Sequence, residues 1–160
     1  METSEITAQL LRFAIFQELR THPEALRSLA ELVKKETYEV RDIIVNEREQ
    51  DTRLFFLLSG QVAINKMDAA GQVVLLGKAD AESHPYFGES ALLGYYKKSA
   101  NVVAHTRCEC LSLTAQDFEK FMTKFPFVAA SFFRNMASVL FGRLLKADQD
   151  IFIAGLTLQK

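Results

Sequence analysis

Proline and glycine are scarce in this sequence, at three and seven of 160 residues, and tryptophan is missing altogether. With no proline- or glycine-rich tract, nothing suggests a collagen-like or low-complexity segment. Hydrophobic runs are short: none approaches the roughly 18–20 residues needed to span a bilayer, so no membrane partner is expected. Neither sign of charge is in excess. A formal net charge of −1 gives no global field toward nucleic acid or an anionic membrane. The opening METSEITAQLL lacks the basic and apolar regions of a secretory signal, which points to the cytoplasm.

Residues that carry chemistry are few. Cys108 and Cys110 stand in RCECLSL. Positions i and i+2 of a strand share a face, and a Cys-x-Cys pair alone cannot complete a tetrahedral metal site. The pair reads as two small buried groups on a core strand, with a redox switch or half a metal site as the alternative. His22, His84 and His105 fall in different expected elements, with no metal-ligand spacing between any two. Neither a Gly-x-Ser-x-Gly elbow nor a Walker-type loop occurs. The expectation is therefore a protein that is not an enzyme and holds no metal or cofactor.

What is present is an ordinary globular composition, 49% hydrophobic and 24% charged, in a chain of one domain's length that can bury a core. Residues 4–36 read as a helical lead-in. Ile6, Leu10, Phe13 and Ile15–Phe16 have near-helical spacing, and Thr21 with Glu24 spells a capping box for the next helix. Residues 37–113 carry short β-branched or aromatic runs separated by charged or glycine-bearing turns, the pattern of hairpins in a roll. Gly71 in DAAGQ and Gly60 in LLSGQVAI mark a hairpin turn and a sharp bend. Helix returns over 114–148, with Thr114 and Asp117 at a cap and Phe132, Met136, Val139, Leu140 and Leu144 on one apolar face. The class is α+β: an antiparallel β-roll, jelly-roll-like, with N-terminal helices, a short helix before its last strands and a long C-terminal helix, in one domain over 1–160.

The stretch YFGESALLGYYKKSANVVA, Tyr86–Ala104, sits between strands in that order of elements. With LFFLLSGQVAI before it and FPFVAASFF after it, the sequence resembles the cyclic-nucleotide-binding domain family over residues 10–145. That resemblance implies a phosphate-binding cassette. Glu89 would hold the ribose diol and Lys98 would stand where the family has arginine. Ser99 would add a hydroxyl and an N–H, and Gly88, Ser90 and Ala91 would lend backbone donors. The chemistry agrees, because a phosphodiester wants convergent N–H groups and one cation, and a diol wants a carboxylate acceptor.

The departures weigh equally. Lysine cannot make arginine's two-pronged contact, and losing one charge-assisted hydrogen bond costs about 1.5–3 kcal/mol, about ten- to a hundred-fold in affinity. His84-Pro85 replaces the family's Gly-Asp, and Glu47-Arg48-Glu49 replaces its Glu-Gly-Asp turn. Proline fixes φ, so the usual glycine turn is not expected before the cassette. The reading is a non-catalytic regulatory module with a degenerate cassette, acting through protein–protein contact. The alternative is a stand-alone receptor for cyclic AMP or cyclic GMP using Glu89 and Lys98. A direct Glu89–Lys98 ion pair with no ligand, Tyr95–Tyr96 over the cassette and His84 beside it are further expectations. The partner is a second copy bound through residues 128–145 of the long helix, or another protein. DQDIFIAGLTLQK after residue 147 is too short for a recognition helix, so no nucleic-acid partner is expected.

Overall fold

The run Leu54–Leu58 has no polar break. Successive side chains of a strand point to opposite faces, so Leu-Phe-Phe-Leu-Leu requires cover on both sides. The computed structural model describes residues 3–95 and 97–158, and it supplies that cover. Helix α1 (Thr3–Leu10), a 3-10 helix (Ala14–Thr21) and α2 (Pro23–Leu32) lead into the strands. Among the described residues these are β1 (Lys34–Tyr38), β2 (Ile43–Val45), β3 (Arg53–Ser59), β4 (Gln61–Met67), β5 (Val73–Asp80), β6 (Tyr86–Phe87), β7 (Asn101–Ala104) and β8 (Cys108–Thr114). Helices α3 (Ala115–Lys124) and α4 (Pro126–Leu158) close the chain.

The strands form two antiparallel sheets, ordered β1-β8-β3-β6 and β2-β7-β4-β5. Phe55 and Leu57 face the second sheet with Val62, Val102, Cys108 and Cys110. Leu54, Phe56 and Leu58 face the helices, with Leu10, Phe13, Phe16, Leu111 and Phe118. Aromatic rings dominate the helical side: Phe13 meets Phe56 edge-on at 5.1 Å, and Phe118 meets Phe132 at 4.6 Å. Such pairs add about 0.5–1.5 kcal/mol beyond the area they bury. Both cysteines are buried on β8 without a disulfide, and the Cys108 thiol donates to the Gln61 carbonyl at 3.2 Å. No helix among the described residues is long and apolar enough to cross a membrane.

Several local expectations need correction. The Thr21–Glu24 capping box does not form. Thr21 ends the 3-10 helix with its hydroxyl on the Glu18 carbonyl at 3.0 Å, and Pro23, with no N–H to lose, opens α2. The cap at Thr114 does form, its Oγ1 accepting from the Asp117 N–H at 3.0 Å. The first strand starts at Lys34, inside the expected helical lead-in, because Lys34–Tyr38 pairs with β8. The last helix runs to Leu158 rather than stopping at 148, since no proline interrupts DQDIFIAGLTL. Phe132 and Met136, expected at a partner surface, are 2% exposed within the chain's own core. Val139 and Leu140 also pack against that core, whereas Leu144 is exposed. Strand β5 is an edge, and Val73, Val74, Leu75 and Leu76 along it are exposed.

Two glycines make the turns at either end of β4, Gly60 crossing from one sheet to the other and Gly71 closing the β4–β5 hairpin, under different constraints. Gly60 has φ +89°, and a Cβ there would stand 2.3 Å from the Arg107 carbonyl oxygen. Gly71 has φ +81° and open space around it. Gly71→Ala should therefore cost only the left-handed backbone penalty of about 1–2 kcal/mol. Gly60→Ala should cost at least about 1 kcal/mol more, through overpacking. Urea unfolding followed by circular dichroism measures both, and equal losses would contradict the steric argument.

Candidate functional site

The candidate site begins where β6 ends. Gly88 takes φ +87°, and a Cβ on it would lie 2.6 Å from the Arg53 carbonyl oxygen, so no other residue fits without a backbone shift. The turn releases a 3-10 helix, Glu89–Leu93, that stops at Gly94 with φ +80°. The chain then returns through Lys98 and Ser99 to β7. Between this loop, the second sheet and α4 lies a cavity of about 350 Å³, within the range of roughly 300–1,000 Å³ usual for small-molecule sites. Its walls include Ile64, Val102 and Leu140, and its polar lining includes Glu89, Ser90, Lys98, Ser99 and Arg143.

Of the six ligand residues expected from sequence, Gly88, Glu89, Ser90, Lys98 and Ser99 line the cavity. Ala91 does not; its side chain is 1% exposed and packed into the body, as an inward residue of a short helix must be. Tyr95 is exposed to solvent, and Tyr96 lies outside the described residues. His84 does not line the cavity. It takes the left-handed turn itself, at φ +49°, so His84-Pro85 preserves a left-handed turn by another residue. Its Nε2 accepts from Arg12 Nε at 2.9 Å, and Phe13 packs edge-on at 5.7 Å.

Glu89 and Lys98 do not bond each other. Lys98 is 5% exposed, and its ammonium donates to the carbonyls of Arg53 at 3.3 Å and Gly88 at 3.2 Å. Burial pushes its pKa down, and the Asp51 and Glu89 charges oppose that. Glu89 is held instead from α4: Arg143 Nη1 donates to its Oε1 at 2.6 Å. The same guanidinium donates to the Tyr86 carbonyl at 3.0 Å and lies over the Tyr86 ring at 5.2 Å. No motif around Arg143 marks it; its only sequence signal is an arginine set in the apolar run VLFGRLL, about two turns beyond Met136.

A second group missed in the sequence lies behind the cassette. Arg53 bonds Asp51 at 2.9 Å and Glu36 at 3.0 Å, and Glu36 also accepts from Tyr38 at 2.6 Å and from the Ser112 hydroxyl. Polar residues at alternating strand positions, Glu36 and Tyr38, were the available signal. This network fixes the strand whose Arg53 carbonyl holds Lys98. Burial raises the Glu36 pKa, but the hydrogen bonds from Ser112 and Tyr38 and the Arg53 charge outweigh it and hold the carboxyl below its ordinary value. A depressed carboxyl contributes stability that is present above the ordinary glutamate pKa and lost as pH falls through the folded value. Glu36→Gln should therefore cost about 1–3 kcal/mol near neutrality and flatten the acid limb of stability below the ordinary glutamate pKa. Denaturant midpoints measured from pH 7 down to acid would refute this if both proteins lost stability in parallel.

The sequence and the fold are similar to those of known proteins. A family model described as cyclic nucleotide-binding domain covers residues 35–125. The cyclic AMP receptor protein of Thermus thermophilus is 32% identical over 101 residues, spanning 61% of this chain and 43% of that protein. Glutaminase 2 of Bradyrhizobium diazoefficiens is 28% identical over 138 residues, 86% of this chain but only 21% of the enzyme. The chain thus spans less than half the length of these relatives. Among solved structures, the Thermus thermophilus catabolite activator protein superposes with a TM-score of 0.68 at 26% identity, over 83% of this chain and 60% of that one. A cyclic nucleotide-binding domain from Methylobacillus flagellatus reaches 0.73 at 17% identity, over 81% and 71% of the two chains, which speaks to fold alone. With a match across more than half its length and a Gly-Glu cassette set between β6 and β7, the chain belongs to the cyclic nucleotide-binding domain family.

Proposed function

We propose that this chain is a non-catalytic regulatory module whose cassette carboxylate is held by its own final helix, and that it acts through protein–protein contact. The observation that carries this reading is the Arg143–Glu89 ion pair at 2.6 Å. A ribose diol would need the carboxylate that Arg143 already holds, and a phosphate would need the ammonium that two carbonyls already hold. Breaking one charge-assisted bond costs about 1.5–3 kcal/mol, or about ten- to a hundred-fold in affinity. A nucleophile is equally hard to find here. Burial pushes the Cys110 thiol up to about 12 and keeps it protonated at neutral pH.

Isothermal titration with cyclic AMP and cyclic GMP tests the closed cassette. The native protein should give no heat up to millimolar nucleotide, and Arg143→Ala, which frees Glu89, should gain at least about tenfold in affinity. Micromolar binding by the native protein, lost in Glu89→Ala, would instead establish the receptor reading, with Glu89 on the ribose and Lys98 on the phosphate.

The contact surface is the distal part of α4. Leu144, Ala147, Ile151 and Ala154 recur at alternating spacings of three and four residues, the seam of a two-stranded coiled coil. Leu144 and Ile151 on it are 55% and 70% exposed. A second copy is the partner this spacing favours. Light scattering after size exclusion should find a dimer, and Leu144→Glu with Ile151→Glu should convert it to monomer. A native monomer at micromolar concentration would remove the homodimer and leave a heterologous partner.

A further inference from the structure

A groove of about 680 Å³ opens beside the cavity, between the β2–β3 loop, the end of β4 and the return of the cassette. Lys98 and Ser99 line both spaces. Arg48, Lys66 and Lys97 line only the groove, and each comes from a different segment. A bridge between Gln50 and Lys97 holds the loop and the cassette side by side. In a chain whose net charge is −1, this is a local concentration of cations.

What distinguishes the groove is how its charges are partnered. Its two carboxylates are committed to backbone. Glu47 Oε1 accepts from the Met67 N–H at 3.1 Å, and Asp68 Oδ1 accepts from Ala70 and Gln72 at 2.9 and 2.8 Å. Nearby Glu49 is turned to Asn46 at 3.0 Å. Among the described residues, Lys66 and Lys97 have neither a hydrogen bond nor an ion pair to any of these acids. Arg48 meets only a thioether, Met67 Sδ, at 2.8 Å, which is a weak acceptor. Three cations thus face one open space and outnumber its two carboxylates, neither of which they bond, and Ser99 adds a hydroxyl at the border.

We infer that this groove is an anion site for a phosphoanhydride chain, the polyphosphate part of a nucleotide or a free inorganic polyphosphate. A single cyclic phosphodiester offers one charged group and cannot reach cations set on three separate segments. A tripolyphosphate carries several charges along a flexible chain and can meet Arg48, Lys66 and Lys97 in turn. These three cations are distinct from the cavity, with which the groove shares only Lys98 and Ser99.

Titration of the whole chain with sodium tripolyphosphate, at about 0.15 M salt so that diffuse attraction is screened, tests the site. The expected result is one saturable site that weakens about tenfold or more in Lys66→Gln with Lys97→Gln. The control Lys34→Gln with Lys124→Gln makes the same charge change on exposed lysines of β1 and α3, and should weaken binding less than about twofold. No saturable binding up to millimolar, or equal losses in the two double variants, would overturn the inference. A parallel titration with ATP separates the sources: tighter binding than tripolyphosphate assigns the site to a nucleotide, and equal binding assigns it to the inorganic chain. Cyclic AMP binding in the cavity would not by itself produce the loss expected of Lys66→Gln with Lys97→Gln, since neither lysine lines the cavity.

Discussion

The carbonyl oxygen of Arg53 is the point on which both the roll and the cassette depend. It accepts from the Lys98 ammonium, and it lies so close to Gly88 that a methyl group could not come between them. Its position is set by the Arg53 side chain, tied to Asp51 and Glu36, and by the strand behind it, packed on both faces. A buried ammonium is tolerated only where acceptors replace lost water. Fixing the carbonyl therefore fixes Lys98, and with it the return of the loop toward β7. The polar network behind β3 shapes the site without facing the cavity.

The opposite wall of the cavity comes from the far end of the chain. Arg143 spends its fork on a carboxylate and a carbonyl, and its flat face on the Tyr86 ring. A guanidinium can serve all three at once because donors lie in its plane and the π-attractive face lies across it. The loop and the helix are thus joined by one side chain at the entrance, and any occupant of the cavity has to contend with that joint. The apolar wall supplied by Leu140, one turn earlier, belongs to the same arrangement.

Much of this was legible in the sequence, and the exceptions share a cause. The hairpin turn at Gly71, the bend at Gly60 and the Thr114 cap follow from rules that act within a few residues, and the Gly-Glu stretch lies within one loop. Arg143 stands 54 residues from Glu89, and nothing in VLFGRLL singles it out. Glu36 and Arg53 meet only because β1 and β3 both flank β8, a pairing that composition does not reveal. Thr21 misled for a local reason: two helical starts compete there, and the rigid ring of Pro23 wins. The burial of Phe132 and Met136 was not evident either, since an apolar stripe does not say whether its cover comes from the same chain.

Helix α4 continues about fifteen residues past Arg143, which at 1.5 Å per residue is about 22 Å of rod. Its early turns are wedged in the phenylalanine core, while the residues beyond Arg143 are exposed to at least residue 156. Such a rod is a lever with its fulcrum near the cassette. A tilt of about 10° there carries the tip about 4 Å, several times what the entrance itself would move. An adjustment too small to alter the roll would still be large at the distal end of the helix.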